Sequence, residues 1–259
     1  MSIRTLNATR YVTPLREGGS LPAIVEADDE GMYVLKFRGA GQGPKVLIAE
    51  LIAGELARAL GLPVPEIVLM ELDPALSRTE PDPEIQSLIQ ASAGLNLALD
   101  YLPGSVMFDP VVAQPDPQLA SRIVWFDALV TNVDRTARNT NMLMWHRRLW
   151  LIDHGAALYF HHSWDADYLS RSQDRFAMIK DHVLLPFATS LQQAAVELTS
   201  KISTPLIQQI VAQVPDSWLL EHSPFTSADE HRAAYVEYLT RRVQGSQPFL
   251  EEALRAMRV

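Results

Sequence analysis

The stretch from Trp125 to Leu158, WFDALVTNVDRTARNTNMLMWHRRLWLIDHGAAL, constrains the fold more than any other part of the chain. Apolar residues recur through Ile123, Val124, Ala128 and Leu129 at helical spacing, so the stretch opens as the end of a buried helix. TNVDRTARNT then breaks the pattern with Asn, Asp and Thr, whose side chains bond nearby backbone and favour turns. Asn141 to Trp145 and Leu149 to Ile152 are apolar enough for two strands of a hairpin, with His146, Arg147 and Arg148 as its basic turn. Asp153-His154-Gly155 closes the unit.

A hairpin doubles the chain back and brings Asp153 towards Asn139. One carboxylate and one amide oxygen then converge, with the carboxylate of Asp134 nearby. Such a donor set suits Mg²⁺, which takes a few protein oxygens and keeps places for water and phosphate. Phosphoryl transfer uses such an ion, plus a carboxylate that orients the attacking hydroxyl. Each residue alone is equally well explained as a turn former. The joint order of loop Asp, Asn, hairpin and Asp-x-Gly is not. It resembles the catalytic and metal-binding loops of the protein-kinase-like superfamily. The resemblance is to the HipA-like bacterial kinases and, more distantly, the phosphatidylinositol kinases. Ordinary eukaryotic kinases carry His-Arg-Asp here, which this chain lacks, and Arg135-Thr136 also departs from the usual HipA loop.

Composition bounds what such a chain can be. With 259 residues, 47% hydrophobic and 20% charged, it can form one large domain or two lobes around a real core. The absence of cysteine excludes disulfides, cysteine-based zinc sites and thiol catalysis. A net charge of −9 argues against direct nucleic-acid binding, while leaving room for a nucleotide in a local basic patch. MSIRTLNATRYVTPL lacks the apolar segment of a signal peptide, and no run approaches the roughly 20 apolar residues of a membrane span. The expectation is a cytoplasmic protein with no membrane partner.

Before the central stretch, Thr9–Pro14 and Ala23–Ala27 read as short strands around Glu17-Gly18-Gly19-Ser20, and Met32–Arg38 as a third strand. Alternation points Lys36 opposite to Leu35 and Phe37. Taken alone, such a lysine is equally a solvent-facing residue. Lys45 to Leu60 carries Leu47, Ile48, Leu51, Ile52, Leu56 and Leu60 on one face and ends at Gly61 and Pro63, so it reads as an amphipathic helix. Gly39-Ala40-Gly41-Gln42-Gly43 between strand and helix resembles the setting of a dinucleotide-binding turn, but its spacing is wrong and a plain loop fits better. Glu66–Leu72 and Leu95–Leu102 are further strands, and Asp73–Asp82 is an acidic, Pro-containing surface loop. Met107–Gln118 is a connector, followed by a helix over Leu119–Val130.

After Leu158, HHSWDAD (His161, His162, Asp165, Asp167) reads as a solvated loop whose spacing fits no zinc pattern. Asp181-His182 is either a helix cap or a functional pair. Helices are expected at Thr189–Lys201, Pro205–Val214, after the Ser227/Glu230 capping box to about Val243, and from Pro248 onwards.

The resemblance implies an α+β, bilobal protein-kinase-like fold. Its N-lobe, residues 1–102, would be a small antiparallel β-sheet with one helix, and residues 103–259 a mainly helical C-lobe. It implies an ATP- and Mg²⁺-dependent kinase whose acceptor is a hydroxyl, with protein Ser/Thr the expected class and small molecules and lipid headgroups left open. Lys36 would bind the α- and β-phosphates, steadied by Glu50, with Glu55 as the alternative partner. Gly18, Gly19 and Ser20 would cover the phosphates, and the hinge at Asp100, Tyr101 and Leu102 would meet the adenine. Asp134 would orient or deprotonate the acceptor, Asn139 and Asp153 would hold Mg²⁺, and Arg135 or Arg138 would neutralise the γ-phosphate. A silent nucleotide-sensing or partner-binding module and a nucleotidyl transferase are the alternatives. The HipA antitoxin partner is not implied by this chain, and an unidentified regulatory partner stays open.

Overall fold

The computed structural model describes residues 2–15, 21–41, 43–165 and 167–258. The glycine turn at Gly18, Gly19 and Ser20 lies outside the described residues. The first part of the chain runs β1 (Thr5–Pro14), β2 (Ala23–Ala27), β3 (Met32–Lys36), α1 (Pro44–Ala59), β4 (Ile67–Leu72), α2 (Pro83–Ala91) and β5 (Gly94–Asp100). The strands close into a barrel in the order β1-β2-β3-β5-β4. Four of the pairings are antiparallel, and the one that shuts the barrel, β1 against β4, is parallel. Val25, Leu35, Val68, Met70 and Ala98 fill its interior. Closure satisfies the strand edges that a five-stranded open sheet would expose.

β3 and β4 run parallel, but β5 lies between them, so the segment from β3 through α1 to β4 is a split crossover and not the adjacent-strand unit of a dinucleotide-binding turn. The dinucleotide-turn alternative therefore has no structural counterpart. The Asp73–Asp82 loop winds into a 3₁₀ turn over Pro74–Thr79 and leads into α2, a helix the sequence reading did not place. Asp73 and Asp82 cap these two elements by accepting from the backbone N–H groups of Ala75 and Glu84.

The chain continues with β6 (Val106–Met107), α3 (Pro117–Leu129), β7 (Met142–Trp145), β8 (Arg148–Leu151), α4 (Leu191–Lys201), α5 (Thr204–Val211), α6 (Asp216–Leu220), α7 (Ala228–Gln244) and α8 (Gln247–Ala256). Strands β6, β7 and β8 form a separate antiparallel sheet. The expected hairpin is thus present, and the connector before α3 supplies a third strand to it.

Helix α1 is buried nearly all round, not on one face as its pattern predicts. One side meets β4 and β5, and the other meets α5 and α6. Its apolar residues join Ile67, Leu97, Leu99, Trp125 and Phe126 in the larger of the two cores. Two hydrogen bonds tie the later helices to the barrel: the Trp218 indole N–H donates to the Leu95 carbonyl at 3.0 Å, and Ile3 N–H to Gln213 Oε1 at 2.8 Å. These contacts hold α1, and with it Glu50, against the rest of the site.

The HHSWDAD stretch divides, which corrects the expectation of a uniformly solvated loop. His162, Asp165 and Asp167 are exposed, but His161 is wholly buried with Nδ1 3.0 Å from the Tyr235 hydroxyl. Its ring packs among Phe160, His162 and Tyr235.

Candidate active site

Strand alternation sets the first residue of the site. Leu35 points into the barrel core, so its neighbour Lys36 emerges on the opposite face, opposite Leu97 of β5 in register. Its Nζ lies 2.5 Å from Glu50 Oε2 and 2.5 Å from Asp153 Oδ1. Glu50 comes from α1, whose start is set by Gly43 at φ 65 and by Pro44 in the first turn. Glu55 makes an i,i+3 pair with Arg58 instead. Between the two acids, the structure brings Glu50 to the lysine.

Burial by itself would push the Lys36 ammonium down. The carboxylates of Asp153 and Glu50 reverse this and hold it above its ordinary value. Burial likewise pushes Glu50 up, and Lys36, helped by His154, outweighs it and keeps the carboxylate well below the usual range. His154 Nδ1 is 3.5 Å from Glu50 Oε1, too far for a good hydrogen bond, so the lysine is the main partner.

The second half of the site sits on the loop after α3 and on the far end of the hairpin. Asp134 Oδ2 accepts from Asn139 Nδ2 at 2.8 Å and from Asn141 Nδ2 at 3.2 Å. Asn141 Nδ2 also donates to the Asp134 carbonyl at 3.0 Å. With its amide nitrogen on Asp134, Asn139 keeps its carbonyl oxygen as a free acceptor among the described residues. Asp153 adopts φ 55, a left-handed conformation uncommon outside glycine, just past β8. Two residues on, a Cβ at Gly155 would lie 2.5 Å from Val46 Cγ1, so the glycine of Asp-x-Gly is required for close approach to α1.

Lys36, Asn139, Asn141 and Asp153 line one cavity of about 1220 Å³, with Val34, Leu99, Leu102, Leu143 and Ile152 among its apolar walls. Asp134 is not part of this lining and reaches it through its bond to Asn139. Of the three hinge residues, Asp100 N–H donates to Glu66 O and Tyr101 N–H to Met32 O. Leu102 N–H has no hydrogen-bond partner among the described residues and is the donor left for a planar ring in the cavity.

Among the described residues no three His, Cys, Asp or Glu side chains gather as a metal site. Asn139 Oδ1 and the half-exposed Asp153 carboxylate supply two hard oxygens. Such a donor set fits a Mg²⁺-like ion that takes its remaining ligands from phosphate and water.

The role expected for Arg135 is overturned. Arg135 is 1% exposed, and its Nε donates to Asp127 Oδ2 at 2.6 Å. It also reaches the Asn141 and Ile152 carbonyls, so it has no access to a bound γ-phosphate. Arg138 is exposed, with no ion pair among the described residues. Asp127 further accepts from Asn132 Nδ2 at 3.1 Å and from His182 Nε2 at 2.9 Å. Leu184 N–H donates to His182 Nδ1, which fixes the neutral tautomer with its proton on Nε2. Burial lowers His182 despite Asp127, while Asp127, raised by burial, is held low by Arg135 and His182. His182 is therefore a partner of Asp127 and of the loop at Thr136, and not a helix cap. The sequence reading named Arg135 and His182 without connecting them, and passed over Asp127 and Asn141.

Comparison with known proteins bears on the fold and the family. The chain is similar in fold to the Helicobacter pylori proinflammatory kinase CtkA, with a TM-score of 0.59 at 14% identity over 96% of this chain and 98% of that one. It is also similar to the Golgi casein kinase with Mn/ADP bound, with a TM-score of 0.51 at 13% identity over 97% of this chain and 73% of that one. A second structure of the Golgi casein kinase gives a TM-score of 0.51 at 12% identity, over 97% of this chain and 74% of that one. No curated protein matches at a significant level. The fold is protein-kinase-like, and the model of the HipA-like kinase family matches residues 9–250. The chain belongs to the HipA-like kinase family.

Proposed function

We propose that this protein transfers the γ-phosphoryl group of ATP, with Mg²⁺, to a serine or threonine hydroxyl of a protein. The observation that carries this reading is Lys36, held at 2.5 Å from both Glu50 and Asp153 inside the cavity that Asn139 also lines. A lysine so placed can exchange its contact with the half-exposed Asp153 for phosphate oxygens while Glu50 keeps it oriented. The adenine would lie between Val34, Leu99, Leu143 and Ile152, with Leu102 N–H as donor. The family resemblance, and not the described structure, assigns Gly18, Gly19 and Ser20 to covering the phosphates.

Asn139 Oδ1 and Asp153 would hold the Mg²⁺, which would supply neutralising charge to the phosphate oxygens. Asp134 accepts the hydrogen bond of the acceptor hydroxyl. As that oxygen bonds to the γ-phosphorus and the bridging P–O bond to ADP breaks, the hydroxyl proton passes to Asp134 and then to solvent. The Golgi casein kinase, solved with Mn/ADP bound, supports both the nucleotide and the divalent ion. A cytoplasmic location goes with this reading; among the described residues no helix is long and apolar enough to cross a membrane.

The test uses ATP labelled separately on the γ- and α-phosphate, with Mg²⁺, a panel of protein acceptors and Asp153→Asn alongside. Transfer of γ-label that is lost in the variant is the expected result. Transfer of α-label would instead identify a nucleotidyl transferase. Tight nucleotide binding without either product would identify a sensing module, and absence of nucleotide binding would end all three readings.

A further inference from the structure

Arg135 takes no part in the reaction just described, yet it is among the largest fully buried side chains of the protein. Its guanidinium meets three separate pieces of chain. Nε is anchored on Asp127 of α3 at 2.6 Å. One terminal nitrogen donates to the Asn141 carbonyl and, at 3.4 Å, to the Ile152 carbonyl. Those carbonyls bracket the site: Asn141 lies two residues beyond Asn139, and Ile152 immediately precedes Asp153. Ile152 N–H also donates to the Asn141 carbonyl at 3.0 Å, and the Asn141 side chain holds Asp134.

Both ligand-bearing segments are in conformations that need outside support, with φ 47 at Asn141 and φ 55 at Asp153. The backbone of Arg135 is itself fastened, since Val183 N–H donates to its carbonyl at 3.0 Å and Thr136 bridges to His182.

Resting on the phosphotransfer reading, we infer that Arg135 is a positioning residue that fixes the spacing of Asn139 and Asp153, and thereby the affinity of the metal–nucleotide site, without touching substrate. The flat, five-donor guanidinium suits a brace between an acid and two carbonyls. A lysine in its place keeps the charge opposite Asp127 but has a single nitrogen, which cannot serve all three at once.

The test compares Arg135→Lys with the double variant Asp127→Asn/Arg135→Gln, which leaves no unpaired buried charge. Backbone amide exchange is followed over residues 139–141 and 152–153 in the protein alone. Mn²⁺ is then titrated into the protein with a non-hydrolysable ATP analogue, and the analogue is also titrated without metal. Both variants are expected to fold and to exchange the Ile152 amide at least tenfold faster. They should bind Mn²⁺ at least tenfold more weakly in the analogue complex and bind the metal-free analogue within about twofold of the parent. Parental exchange and Mn²⁺ affinity in either folded variant would overturn the inference. So would faster exchange with unchanged Mn²⁺ affinity, or failure of both variants to fold, since Arg135 would then serve the fold alone. If the parent protein binds neither analogue nor Mn²⁺, the phosphotransfer reading itself fails, a result distinct from parent and variants binding equally well.

Discussion

Lys36 and Arg135 are both buried beside carboxylates, and they differ in what lies on their open side. Lys36 sits between Glu50, whose side chain is 0% exposed, and Asp153, whose side chain is 47% exposed and faces the cavity. Arg135 and Asp127 are both 0% exposed in their side chains, and the remaining contacts of the arginine go to backbone. An ammonium with one solvent-facing partner can trade that partner for a ligand. A guanidinium spread over an acid and two carbonyls can move only if the chain opens. The same chemical pairing therefore leaves one cation with an exchangeable partner and locks the other into the chain.

The contrast is tested most strongly by Arg135→Met. Removing one member of a fully buried pair leaves Asp127 without its main partner and is expected to cost about 3–5 kcal/mol, read from urea unfolding. A loss under about 1 kcal/mol would mean that the cluster is looser than its geometry indicates. Next in size, Lys36→Met should lower γ-phosphate transfer by roughly 100-fold or more. In the double variant Lys36→Met/Glu50→Gln, which strands no buried charge, the unfolding free energy should fall by less than in Arg135→Met, because Asp153 can rehydrate. Equal stability losses in the two variants would erase the distinction.

Acid should weaken the arginine cluster through His182. Burial lowers the pKa of this histidine from its ordinary 6.5, so below that pH the unfolded chain takes up a proton that the folded one resists. Stability should then decline as pH falls from 6.5, by up to about 1.4 kcal/mol per pH unit for such a group. His161 and His231 are lowered in the same sense and add to the slope. Unfolding measured from pH 7 to 5 should give a shallower slope in His182→Asn, and an unchanged slope would clear His182 of this role. Smallest of all, Glu55→Gln removes only an i,i+3 pair with Arg58 and should change stability by about 0.5 kcal/mol or less. A substantial loss of transfer activity in that variant would return Glu55 to contention with Glu50 as the partner of Lys36.

The sequence carried the lysine side of this comparison better than the arginine side. Lys36 is legible because strand alternation is local: once Leu35 faces a core, Lys36 cannot. Glu50, Asn139 and Asp153 followed from the order of motifs, which the fold preserves. Arg135 was misread because its neighbours in sequence, Asp134 and Thr136, say nothing of Asp127 eight residues back in α3 or of the two carbonyls across the hairpin. His161 was misread for a similar reason, since a polar stretch gives no sign that one of its members packs against Tyr235 of α7. Helix α2 carries only Ile85 and Ile89 as buried residues, too few for a pattern to stand out.

What the sequence by itself determined was most of the elements and the main groups that can do chemistry, because periodicity and turn preference act over a few residues. Tertiary structure decided how the barrel closes, through a parallel pairing of Thr5–Asn7 with Leu69–Glu71, and why α1 is buried on every side. It also decided which cation keeps a solvent-facing partner and which is enclosed by the chain. Those outcomes depend on contacts between residues far apart in sequence, where burial and the number of available partners set the energy and no local pattern records it.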